Sequence, residues 1–114
     1  MARRRRLICP SDALRDGGDG VRFQLLRGGA CEEAFVIRFD GRVHAFVNRC
    51  AHVPTELDWL PGRFFEADGR FLICATHGAL YDPATGECRG GPCHGGRLEA
   101  VPVRERDGAV WLLE

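Results

Sequence analysis

The chain has 114 residues, room for one domain around one core, and its 45% apolar content is ordinary for a globular fold. Sixteen basic and sixteen acidic side chains cancel, which argues against a polyanionic partner: no nucleic acid and no anionic membrane surface. No apolar run approaches the roughly 18 residues of a membrane span, so the chain reads as soluble.

In chain order, Arg3-Arg4-Arg5-Arg6 comes first. A twin-arginine export signal needs an apolar stretch after its basic residues, whereas Leu7-Ile8-Cys9-Pro10-Ser11-Asp12 turns polar almost at once, so the expectation is a cytoplasmic protein. Leu7 to Cys9 reads as an edge strand. Val21 to Leu26 reads as a strand that Arg27-Gly28-Gly29-Ala30 turns toward the next. Three Asp-Gly pairs, at Asp40-Gly41, Asp68-Gly69 and Asp107-Gly108, each sit between short apolar runs. Asp-Gly suits a two-residue hairpin turn because both residues tolerate positive φ. The hairpins join Ala34–Phe39 to Arg42–Val47, Phe64–Glu66 to Arg70–Cys74, and Val101–Arg104 to Ala109–Leu113. Gly and Pro interrupt the helical windows. The fold class is therefore all-β, a small antiparallel β barrel or sandwich.

Two mixed pairs, Cys50-Ala51-His52 and Cys74-Ala75-Thr76-His77, fall in the loops after the strands that contain Val43 and Phe71. Thiolates and imidazoles together suit iron in a [2Fe-2S] cluster, in which two Cys hold one iron and two His hold the other. Two Cys and two His are also a legitimate zinc set, but this spacing is not that of the common zinc fingers. From His77 the chain continues Gly78-Ala79-Leu80-Tyr81-Asp82-Pro83-Ala84-Thr85-Gly86-Glu87-Cys88-Arg89-Gly90-Gly91-Pro92-Cys93. With the two pairs, this run resembles the Rieske [2Fe-2S] domain family over about residues 48 to 96. The resemblance implies a single domain over residues 1–114 that carries one [2Fe-2S] cluster. Cys50 and Cys74 would bind one iron, and His52 and His77 the other. Gly90-Gly91-Pro92 would form a proline loop packed over the cluster, completing a subdomain with the two ligand loops.

The resemblance also implies a potential. Respiratory relatives raise theirs with a Ser two residues after the second ligand His and a Tyr two beyond that, both hydrogen-bonded to sulfur. Here those positions are Ala79 and Tyr81. With only the Tyr to donate, the potential belongs in the lower half of the Rieske range of about −150 to +300 mV. That is nearer the ferredoxins of aromatic-ring dioxygenase systems. Respiratory relatives also tie their ligand loops with a disulfide, but Thr55 and Thr76 occupy the comparable regions here. Cys88 and Cys93 are close enough in sequence to bridge, which spacing does not decide, and a reducing cytosol favours two thiols. Cys9 and Cys31 read as unpaired strand or loop residues, His44 as a strand residue and His94 as part of the third loop. The aromatic segment Leu57 to Phe65 reads as core packing, with a docking rim as the sharper alternative.

The chain is not expected to be an enzyme. After His52 and His77 are assigned, only His44 and His94 remain, too few for the two His and one carboxylate of a mononuclear oxygenase iron. No Gly-x-Gly-x-x-Gly follows a strand, which excludes the nicotinamide-oxidising reductase. The leading reading is a one-electron carrier whose partners are a flavin reductase and a terminal oxygenase or similar redox protein. The alternatives are a small Rieske subunit of a larger reductase and a redox-dependent regulatory module.

Overall fold

The computed structural model describes residues 5–27, 29–50, 56–58, 60–75, 78–93 and 95–113. The strands are β1 (Arg5–Pro10), β2 (Val21–Arg27), β3 (Ala30–Phe39), β4 (Arg42–Val47), β5 (Leu72–Ile73), β6 (Leu80–Tyr81), β7 (Cys88–Gly90), β8 (Ala100–Val101), β9 (Val103–Arg106) and β10 (Ala109–Leu113). Two short 3-10 turns, Ser11–Ala13 and Gly91–Cys93, are the helical elements among the described residues. The all-β expectation therefore stands. The strands form three antiparallel sheets in the orders β2-β3-β4-β8, β1-β10-β9 and β5-β6-β7.

Two of the three Asp-Gly turns behave as read. Asp40 and Gly41 have φ 53° and 77°, and Asp107 and Gly108 have φ 54° and 74°. Both turns thus close tight hairpins, with Phe39 opposite Arg42 and Arg106 opposite Ala109. The third does not. At Asp68-Gly69 only Gly69 has positive φ, and the reversal is wider, closed by Gly69 N–H to the Glu66 carbonyl and Glu66 N–H to the Phe71 carbonyl. The Phe64–Glu66 run still meets the Arg70–Cys74 run as read, through the antiparallel bridge between Phe65 and Leu72 and the Ile73 N–H to the Phe64 carbonyl at 2.8 Å.

The apolar faces form two cores. One contains Cys9, Leu25, Val36, Ala45, Val101, Val110 and Leu112, between the four-stranded sheet and the terminal strands. The other gathers Phe35, Ile37 and Phe46 with Leu57, Phe64, Leu72, Tyr81 and Leu98 beneath the ligand-loop region. Phe35 stacks on Phe64 at 3.9 Å between ring centroids. Phe35→Ala would cost about 3 to 5 kcal/mol, since a fully buried ring leaves a cavity that a sheet cannot collapse to fill. The shared sheet gives both cores a common wall, since β3 and β4 send Phe35, Ile37 and Phe46 into one and Val36, Ala45 and Val47 into the other.

Candidate metal centre

Each cysteine of the two pairs is positioned by a strand end. Cys50 follows β4, where Arg49 N–H bonds to the Val47 carbonyl at 2.8 Å and bends the chain out of the sheet. Cys74 follows β5 and starts a tight reversal. Its N–H donates to the Ala79 carbonyl at 2.9 Å, and Gly78 N–H returns to the Cys74 carbonyl at 2.7 Å. Gly78 supplies the positive φ, 74°, that closes this turn. The reversal then enters β6, which pairs with β5 as Leu72–Tyr81 and Ile73–Leu80.

That register aims Tyr81 inward. It is fully buried, and its phenolic oxygen is 3.2 Å from Cys50 Sγ. Either group can donate in that contact, but the phenol is the donor once the sulfur is a thiolate. Cys50 and Cys74 lie in the same core, with Ala79 and Tyr81. Neither cysteine is disulfide-bonded. His52, His77, His94, Thr55, Thr76 and Trp59 lie outside the described residues. Two buried thiols on separate loops, one hydrogen-bonded by a phenol, are a donor set that fits a thiolate-bound iron–sulfur group.

The third loop sits against the second. Gly91 has φ 80°, and a Cβ there would lie 2.8 Å from the Gly78 carbonyl oxygen and 3.1 Å from the Ala79 Cα. Only Gly allows the loop this close. Pro92 is exposed beside it. The two-thiol reading of Cys88 and Cys93 is overturned, because the pair forms a disulfide. The Gly91–Cys93 turn folds the chain back until the two Cα atoms are 5.7 Å apart, inside the range a disulfide spans. Cys9 and Cys31, in β1 and β3, are not disulfide-bonded.

The Leu57–Phe65 segment divides. Leu57 and Phe64 are core residues, while Leu60 is 55% exposed. Two residues of this region escaped the sequence reading. Asn48 and Asp58 are buried and polar. Their signal was an uncompensated polar side chain beside apolar runs, Ala45-Phe46-Val47 and Leu57-Asp58-Trp59-Leu60. Farther out, Asp82 caps the turn before β7. Burial would raise its carboxyl, but the N–H groups of Ala84 and Thr85 and the Arg89 guanidinium overcome this and hold it below the usual range. His44 is pushed below the usual imidazole range, first by burial and then by Arg42, with Asp82 opposing.

The Rieske [2Fe-2S] domain model matches residues 5–104. The chain belongs to that family. The Rieske cofactor is a [2Fe-2S] cluster ligated by Cys and His. Among curated proteins, this Rieske chain is 33% identical over 78 residues to Oxidoreductase NdmD of Pseudomonas putida, a match covering 62% of this chain and 12% of that protein. The chain therefore spans a small part of that relative's length. Among solved structures it is similar to the Sphingomonas yanoikuyae B1 ferredoxin, with TM-score 0.73, 24% identity and coverage of 97% of this chain and 99% of that one. It is also similar to a chain in the complex of reduced oxygenase and oxidized ferredoxin in carbazole 1,9a-dioxygenase, with TM-score 0.72, 21% identity and coverage of 96% and 92%. No helix among the described residues is long and apolar enough to cross a membrane.

Proposed function

We propose that this chain is a one-electron carrier that accepts an electron from a flavin reductase and delivers it to a terminal oxygenase. The observation that carries this reading is the buried Cys50–Tyr81 contact beneath the second ligand turn, in a chain of the Rieske family. Cys50 and Cys74 would hold one iron as thiolates, and His52 and His77 would hold the other. The bound cluster supplies a one-electron acceptor whose imidazole ligands raise its potential above that of an all-Cys cluster. Tyr81 donates to the Cys50 sulfur, stabilising the added negative charge. The apolar core of Phe35, Phe46 and Phe64 keeps water from the back of the site. The β5–β6 pairing and the Cys74 N–H to Ala79 carbonyl bond anchor the two described ends of the ligand turn.

The similarity to ferredoxins over nearly their whole length supports a domain that works as a unit over residues 1–114. One of those similar structures is a complex of oxygenase and ferredoxin, which supports an oxygenase as acceptor. The protein itself then carries out no substrate chemistry. We place it in the cytoplasm, where reduced nicotinamide feeds flavin reductases. A second reading, a Rieske part of a larger reductase, is favoured by the match to a short stretch of an oxidoreductase.

Visible and electron paramagnetic resonance spectra before and after dithionite, with voltammetry on the same sample, test the centre. A reducible iron signal at the low average g of histidine-ligated clusters is expected. A colourless protein with stoichiometric zinc would overturn the reading. Oxygenase turnover that depends on added carrier supports the first reading; tight co-purification with a large reductase subunit supports the second.

A further inference from the structure

Asn48 stands at the exit of β4, and its own N–H is fixed to the Glu33 carbonyl at 2.8 Å on the adjacent strand. Two residues later comes Cys50. The Asn48 Oδ1 accepts the Leu57 N–H at 2.8 Å. The Leu57 carbonyl in turn accepts the N–H of Ala75 at 2.9 Å, the residue directly after Cys74. One side chain and one peptide unit thus span from the base of the first ligand loop to the second.

The orientation of that amide is set by what lies on its other side. Asn48 Nδ2 donates to Asp58 Oδ1 at 3.0 Å, and the Gly62 N–H donates to Asp58 Oδ2 at 2.9 Å. The Asp58 side chain is 0% exposed, and the Arg22 Nε lies 3.6 Å from its Oδ2. A buried carboxylate can only face donors, so the amide nitrogen must point at Asp58 and the oxygen at Leu57. Turning the amide over would put oxygen against carboxylate and leave the Leu57 N–H buried without an acceptor. Asp58 therefore acts as the lock on the Asn48 rotamer.

We propose that Asn48, locked by Asp58, is a positioning residue for the cluster, fixing the separation of the Cys50 and Cys74 loops through the backbone of Leu57. The inference rests on the assignment of Cys50 and Cys74 as ligands. A residue that merely stabilised the 56–62 connection would alter folding without altering how the two ligand loops hold iron.

The experiment uses the cluster-loaded protein and follows bleaching of its visible absorbance by an iron chelator, the electron paramagnetic resonance line shape of the reduced state, and the thermal midpoint. Asn48→Ala is compared with Val110→Ala, a truncation in the remote core that lowers stability without touching the bridge. Asn48→Ala is expected to lose iron about tenfold faster than the Val110 variant at a comparable drop in midpoint, the usual scale for groups that orient metal ligands, with broadened resonance lines. Asn48→Asp keeps an oxygen for Leu57 and removes the donor to Asp58, and carries the test should the alanine variant not fold. It too is expected to lose iron faster than the Val110 control. Iron loss at the control rate with the wild-type line shape in a folded Asn48 variant would overturn the inference and leave the ligand assignment intact. Wild-type protein without a histidine-ligated signal would remove the assignment, and the inference with it.

Discussion

The Tyr81 phenolic oxygen lies 3.2 Å from the Sγ of Cys50, with both residues in the same buried core. Because the tyrosine is held by its pairing opposite Leu72, the hydrogen bond is prearranged before any charge arrives. A bond to sulfur strengthens as the sulfur gains negative charge, so it favours the reduced state. Assigning about 1 kcal/mol to that difference gives a potential about 45 mV lower in Tyr81→Phe, by one-electron conversion. Voltammetry checks it; an unchanged potential would mean that the phenol serves packing alone.

Ala79 is fully buried, and its carbonyl accepts the Cys74 N–H at 2.9 Å. Its methyl group gives the site no second side-chain donor. Ala79→Ser adds a hydroxyl on the turn that follows Cys74, and the potential should rise by a similar amount, about 45 mV. A rise additive with the Tyr81→Phe drop would show that the two groups act independently.

Gly91 approaches the second ligand turn so closely that a Cβ would sit 2.8 Å from the Gly78 carbonyl oxygen. Its φ of 80° also belongs to the left-handed region. Gly91→Ala should therefore destabilise the fold by about 1 to 3 kcal/mol and push the proline loop off the turn. A lowered thermal midpoint together with faster iron loss is the expected pair of results.

The His44 imidazole gives a pH dependence with a definite sign. Burial, then Arg42, depress it in the folded state, while the unfolded value is about 6.5. The unfolded chain thus binds the proton more readily, and stability rises with pH across the interval between the two values. The contribution is fully present above about pH 6.5 and is lost as pH falls through the folded value. In His44→Gln, with the cluster bound in both proteins, the midpoint should fall less between about pH 7.5 and 5. Parallel curves for the two proteins would contradict this.

What could be read from the residues was the chemistry that repeats at fixed spacing. Asp40-Gly41 and Asp107-Gly108 announce their hairpins because both positions need positive φ, a local requirement. The Cys and His pairs pointed to a cluster domain, and the family match bears that out. Strands β6 and β7 span two and three residues, too short to show any alternation, so that part of the cluster-side sheet was read as loop and turn, while β5 lies within the Arg70–Cys74 run that reads as a strand. Asp68-Gly69 misled because Glu66 closes a wider turn from its own carbonyl. The Cys88–Cys93 bond depends on a turn that brings two Cα atoms together, which no spacing rule supplies. Asn48 and Asp58 escaped for a similar reason, since a buried polar residue makes sense only once its partner, distant in sequence, is in view.

The Cys88–Cys93 bond also bears on how the domain tolerates its own work. Opening a disulfide takes two electrons and two protons, whereas a Rieske carrier is charged one electron at a time. Traffic past the proline loop arrives in units that do not match what its clasp requires. The loop that Gly91 presses onto the ligand turn is thereby closed by a two-electron bond, which a single one-electron transfer does not open.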